Sequence, residues 1–377
     1  MDKEVQSSFF LLLRLGLWGE TNEDLSDFSL TRKQWHAVFN MSISQTVEAL
    51  VYQGVLLLDK SSYPPYDILM RWTARVDAIE RASKKMNGVL LELKGIFEAS
   101  NIPFMLIKGQ GLAANYKHPL QRSSGDIDLY FENKEDFSQA KMLLESAGIK
   151  TIKGDYNSII YRYNDVEVEH HQRLIDIFNP FCASYVKQVI AEQQLFSQQL
   201  SLPEEQRITI PSFILSHIVI SAHILKHYLG FGIGLRQLCD LAMLSSIMTK
   251  SSEADKRQAA NDLSRIYKKL GINKWVNALN HILVTDLGLP VSCLPVPLTG
   301  EYKREALLKD ILVSGNFGFY DVSGKKDARE EANTSANYKR NNPLKRVLPH
   351  TLKAIPLAPA EVFWFPLQKA ISKILGG

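Results

Sequence analysis

The spacing of apolar residues divides this chain into helical flanks around a short stretch where the period changes. Leu12, Leu13, Leu15 and Leu17 cluster in an opening helix, and Thr31 or Ser29 stands where a cap is needed for a helix carrying Trp35 and Phe39. Residues 44–58 form a second apolar-rich helix. From Tyr66 to Ser100, Ile68, Trp72, Val76, Ile79, Met86, Leu90, Leu93 and Phe97 recur at three- and four-residue spacing, the seam of one long helix with a buried face. Asn101-Ile102-Pro103 breaks it.

Beyond that break the pattern is that of short strands. Residues 104–107 predict a buried strand, 109–116 a turn with a short helix, 118–125 a loop, and 127–131 a second strand. Residues 134–147 predict an amphipathic helix ended by Gly148. Residues 158–163 and 165–171 predict a hairpin turning on Asn164-Asp165. From about 175 the helical period returns, most clearly over 211–229, 234–248, 255–270, 274–287 and 303–313. The polar stretch 324–342 reads as a mobile loop. The expected class is α+β, a small mixed β-sheet core (101–175) between an N-terminal helical region (1–100) and a C-terminal helical region (176–315). A flexible basic tail with apolar anchors (316–377) follows.

Composition narrows the classes without naming one. The 377 residues are 45% apolar and 22% charged, which is ordinary for a globular protein able to bury a core. A net charge of +4 is too small to imply nucleic-acid binding by itself. Three widely spaced cysteines argue against a disulfide framework or a zinc site and predict a reducing, cytoplasmic setting. The apolar run at 9–15 is interrupted by Arg14, and the run at 213–225 is shorter than the roughly 20 residues a bilayer requires. Neither a targeting segment nor a membrane span is expected.

The chemistry concentrates at two places. Phe104-Met-Leu-Ile-Lys108-Gly109-Gln110-Gly111 ends an apolar run in a lysine and a glycine turn, whose charge and backbone N–H groups suit a phosphate. Arg122-Ser-Ser124-Gly-Asp126-Ile-Asp128 then opens a strand with two carboxylates on one face, because side chains at i and i+2 point the same way. Adjacent carboxylates repel unless a cation lies between them, and a hard ion such as Mg²⁺ fits that need. A third carboxylate stands in Val166-Glu167-Val168-Glu169-His170-His171. The valines pack inward there and turn Glu167, Glu169 and His171 to the open side, with His170 pointing the other way.

These motifs resemble the bacterial nucleotidyltransferases of the DNA polymerase beta superfamily. The resemblance is to a largely uncharacterised group with a Lys-Gly loop, and the pattern is also similar to the toxin subunit of abortive-infection systems. It covers about residues 100–175, with a weaker echo through the helices near 215–245, and this chain departs from the pattern at Gln110 and Gln172. The resemblance implies that Gly109 and Gly111 admit a nucleoside triphosphate, that Asp126 and Asp128 hold Mg²⁺, two ions in all, and that Glu169 is the third metal carboxylate and the base. Glu167 is the alternative third carboxylate. Lys108, Arg122 and Ser124 would bind the nucleotide, with His223, His227 and Arg236 as a wall over it.

The reaction so implied moves an NMP group from an NTP to an acceptor hydroxyl on a small molecule, a tRNA end or a protein. Two other readings fit the same residues. One is a nucleotide-binding regulatory protein without turnover, and the other is a toxin-like transferase acting on RNA or protein.

Overall fold

The computed structural model describes residues 2–20, 24–195, 197–201, 206–230, 232–300, 304–316 and 350–374. The expected loop at 324–342 lies outside them. The helices are α1 (Lys3–Trp18), α2 (Arg32–Ser44), α3 (Glu48–Leu56), α4 (Tyr66–Ala99), α5 (Gly109–Ala113), α6 (Lys134–Ser146) and α7 (Ala183–Gln194). They continue with α8 (Phe213–Gly230), α9 (Leu235–Ser246), α10 (Glu253–Leu270), α11 (Asn273–Thr285) and α12 (Arg304–Ser314), and a C-terminal helix covers Pro359–Ile374. The strands are β1 (Met105–Ile107), β2 (Asp126–Tyr130), β3 (Ile152–Lys153), β4 (Ile159–Tyr163), β5 (Val166–His171), β6 (Gln198–Ser201) and β7 (Arg207–Ile210). The α+β class predicted from the sequence is the one observed. Among the described residues no helix is long and apolar enough to cross a membrane.

The chain forms two compact units, the first made of Met1–Asp77 and Ile224–Val362 and the second of Ala78–His223 and Phe363–Gly377. The first is helical. Thr31 caps α2 in a reciprocal capping box with Gln34. α1 and α3 touch through glycines: a Cβ on Gly16 would lie 1.8 Å from the Leu50 carbonyl oxygen, and one on Gly54 would lie 1.9 Å from that of Leu12. The helix expected over 44–58 starts at Glu48 instead, because Thr46 takes a φ of 57° and turns the chain. Gln45, fully buried at that turn, accepts a hydrogen bond from the Leu235 N–H and donates to the carbonyls of Ile311 and Leu312. One amide side chain thus ties α9 and α12 to the break.

The second unit holds a five-stranded sheet in the order β1-β2-β5-β4-β3. β2 and β5 run parallel, and the other neighbours are antiparallel. The β4–β5 hairpin turns on Asn164 and Asp165 with φ of 47° and 60°, the left-handed pair that a two-residue connection of this hand needs. Alternation sends Ile127, Leu129, Val166, Val168 and His170 to one face, where they bury against Leu90, Leu93 and Phe97 of α4 and Ala140 and Leu144 of α6. Burying that apolar layer is what orients the sheet, and it leaves the acidic face of β2 and β5, with Asp126, Asp128, Glu167 and Glu169, to the opposite side.

The region beyond 175 is not purely helical. β6 and β7 form an antiparallel pair, with Leu200 opposite Ile208 and Gln199 opposite Thr209. Their apolar alternation is short and interleaved with glutamine, so the helical period on either side masks it. Ile208 joins the sheet core. In the C-terminal helix, Phe365 packs edge-on to Phe178 at 5.0 Å and the Gln368 amide donates to the Phe178 carbonyl at 2.6 Å, whereas Phe363 is exposed.

Two buried histidines give this unit a predictable acid response. His217 on α8 lies against Phe213 at 4.6 Å, and burial pushes its pKa down to about 3. His170 meets the Tyr161 hydroxyl at 2.8 Å, and burial likewise lowers it to about 3. Unfolded, each takes up a proton near pH 6.5, which the folded chain refuses until about pH 3. Stability is therefore full above that upper value and falls as pH drops through the window, by up to about 1.4 kcal/mol per pH unit for each group. His217→Phe is expected to shallow that decline by about half in urea melts between pH 7 and pH 4. An unchanged slope would show that His217 is not held neutral.

Candidate active site

The acidic face is built by register. The parallel pairing of β2 with β5 sets Asp126 opposite Glu167, Asp128 opposite Glu169 and Tyr130 opposite His171. Exposure falls along the strands. Glu167 is exposed and Asp126 half-buried, whereas Asp128 is only 5% exposed. Among the described residues, the ligand atoms of Asp128, Glu169 and His171 all lie within 4.8 Å of one another, and Asp126 stands outside that group.

Asp128 is the centre of this cluster. Its Oδ1 accepts from the Lys108 ammonium at 3.0 Å and meets His171 Nε2 at 2.7 Å; the same nitrogen lies 3.6 Å from Glu169 Oε2. Burial alone would raise the Asp128 pKa, but the Lys108 charge and the His171 hydrogen bond outweigh it and hold the carboxyl far below the usual range. Burial alone would lower the Lys108 pKa, but Asp128, Asp126 and Asp176 outweigh it and the ammonium is held more firmly protonated than usual. The pair is therefore ionised at neutral pH although the side chains are only 13% and 7% exposed.

The turn that delivers Lys108 is strained. Lys108 has φ 60° and ψ −145°, a region suited to glycine, at a cost of about 1–3 kcal/mol. Gly109 follows with φ 42°. A Cβ on Gly111 would lie 3.5 Å from the Ile210 side chain, so β7 packs closely on this turn. Arg122, buried, donates from Nη1 to Ser124 Oγ at 2.5 Å and to the Ser123 carbonyl at 3.4 Å. Its guanidinium thereby braces the loop that enters β2.

Of the more distant residues proposed from sequence, His223 belongs to this unit and His227 and Arg236 belong to the other. His223 Nδ1 meets Asp176 Oδ2 at 3.1 Å. His223 also helps lower the Asp128 pKa, and Asp176 helps raise that of Lys108, so this couple stands within electrostatic reach of the acidic centre. Sequence reasoning passed over Asp176. Its signal was a single carboxylate inside the apolar run Leu174-Ile175-Asp176-Ile177-Phe178.

The donor set fits a small divalent cation. Two carboxylate oxygens from neighbouring strands converge, and a third donor, His171, either joins them or holds Asp128 in place. A family model described as uncharacterised nucleotidyltransferase matches residues 31–276, more than half of the chain and all of the sheet's five strands. No curated protein matches it significantly.

Proposed function

Since the chain belongs to this nucleotidyltransferase family, a family of transferases, we propose that it catalyses Mg²⁺-dependent transfer of a nucleoside monophosphate from an NTP to an acceptor hydroxyl. The observation that carries the reading is the convergence of Asp128, Glu169 and His171 beside the Lys108 turn. Asp128 and Glu169 would hold the ion, and Asp126, on the same face one register pair away, would serve a second. Bound there, Mg²⁺ would neutralise charge developing on the attacking and leaving oxygens.

The chain's own groups would do the rest. Glu169, partly exposed at the cluster's edge, takes the proton of the acceptor hydroxyl. The freed oxygen bonds to the α-phosphorus, the bond to the bridging oxygen breaks, and pyrophosphate leaves with the electron pair. Lys108 offers a permanent positive charge to the triphosphate, and Gly109 and Gly111 let the backbone come close. His171 orients Asp128. Arg122, Ser124 and His223 complete the nucleotide side of the proposal. His227 and Arg236 carry no weight in it.

The test is incubation of the protein with each α-labelled NTP, Mg²⁺ and a cell extract. The expected result is label in one acceptor species with release of pyrophosphate, abolished in the Asp126→Ala/Asp128→Ala variant. No label transferred from any NTP by folded protein would overturn the proposal.

A further inference from the structure

Arg173, two residues past His171, is a cation without a counter-ion. Its guanidinium carbon stands 4.8 Å over the Tyr156 ring and 5.2 Å over that of Phe178, and the two ring centres are 5.1 Å apart. The side chain is half-buried, yet among the described residues it makes no ion pair and no hydrogen bond. Nη1 is sealed against the protein, which leaves Nε and Nη2 as the nitrogens open to solvent. Burial raises the Tyr156 pKa, with Asp155 and Asp176 adding to that and Arg173 opposing it, so Asp176 and Arg173 both stand near this hydroxyl. Asp176 is nonetheless turned elsewhere, its Oδ2 meeting His223 Nδ1 at 3.1 Å. A strained turn carries the aromatic platform: Tyr156 has φ 58° and ψ 41°, and Asn157 has φ 63°, a region that bulky residues avoid.

A guanidinium stays ionised at any working pH, and its planar fork matches two oxygens of a carboxylate or phosphate. Two rings beneath it fix that plane and leave an edge to a ligand. Register decides which ligand. β1 runs antiparallel to β2 with Ile107 opposite Asp128, so the Lys108 turn leaves the sheet at the Asp126 end. β5 runs parallel to β2 with His171 opposite Tyr130, so Arg173 follows the other end. The two cations therefore flank the acidic face from opposite ends. In an in-line displacement the attacking and leaving oxygens lie on opposite sides of the phosphorus. With the triphosphate at the Lys108 turn, the acceptor enters from the end where Glu169 meets His171 and Arg173 follows.

We infer that Arg173 binds an oxyanion of the acceptor, which is therefore a hydroxyl compound carrying a phosphate or a carboxylate. The inference rests on the nucleotidyl-transfer reading and goes beyond it by naming the acceptor's charge and the residue that receives it.

Phosphorus NMR titration of the full chain tests it, because tripolyphosphate and inorganic phosphate give separate signals. The protein is first saturated with Mg²⁺ and tripolyphosphate, which occupy the Lys108 end. Inorganic phosphate is then expected to bind without displacing tripolyphosphate, and acetate to compete with it. The tighter of these two probes identifies the acceptor's oxyanion. Arg173→Met, which keeps an apolar chain over the rings, weakens phosphate binding about 10-fold or more and leaves tripolyphosphate binding unchanged. Arg173→Lys keeps the charge, loses the fork and falls between the two, and it gives the same reading if Arg173→Met does not fold. Phosphate that binds the folded variants as it binds the wild type overturns the assignment, as does phosphate that binds only by displacing tripolyphosphate. Loss of tripolyphosphate binding in both folded variants moves Arg173 to the nucleotide and also overturns it. In each of these outcomes tripolyphosphate binding by the wild type leaves the transfer reading standing. A wild type that binds neither probe nor tripolyphosphate overturns both.

Discussion

Asp128→Ala is expected to cost both activity and stability. Nucleotidyl transfer falls by at least on the order of 10³-fold, because Asp128 is a member of the candidate metal cluster and the partner of both His171 and Lys108 there. Stability falls by about 3–5 kcal/mol, because the buried Lys108 ammonium loses its direct ion-pair partner and keeps only the more distant charges of Asp126 and Asp176. Urea melts and steady-state kinetics on the same preparation separate the two effects. The double variant Lys108→Met/Asp128→Leu removes both charges from the same space. It is expected to recover stability to within about 2 kcal/mol of wild type while remaining inactive. If Asp128→Ala melted with the wild type, the buried ion pair described here would be wrong.

Glu169→Gln and Glu167→Gln should differ sharply. The two glutamates share a face of β5, yet Glu167 is exposed and sits opposite Asp126, whereas Glu169 lies opposite Asp128 and 3.6 Å from His171. Glu169→Gln is expected to lower the rate of transfer about 10²- to 10⁴-fold, the usual range for losing a positioned base. Glu167→Gln is expected to change it less than about tenfold. Both variants should melt within about 1 kcal/mol of wild type, since neither side chain is deeply buried. A larger effect from Glu167 would move the third carboxylate to that position.

Much of this site could be read before any coordinates. Period-two alternation places Asp126, Asp128, Glu167, Glu169 and His171 on one face and sends His170 inward, and the structure keeps that division. The hairpin at Asn164-Asp165, the long α4 seam and the capping residue Thr31 were equally local signals. What escaped was non-local. That Asp128 rather than Asp126 meets Glu169 depends on the register of two parallel strands joined by a long crossover, which no local pattern encodes. The Asp176–His223 couple joins an irregular segment to α8 across 47 residues of chain, and only tertiary packing brings them together. His223 and His227 are one helical turn apart, a spacing that says nothing of where the division between units falls.

The central claim is that Asp128 and Glu169 jointly hold the divalent ion that makes nucleotidyl transfer possible. Its most direct test is Mn²⁺ binding followed by electron paramagnetic resonance, with a non-hydrolysable ATP analogue present, on the wild type and the Asp128→Asn, Glu169→Gln and Glu167→Gln variants. Saturable binding is predicted in the wild type and in Glu167→Gln, and its loss in the other two. Wild-type binding in a folded Asp128→Asn variant would contradict the claim.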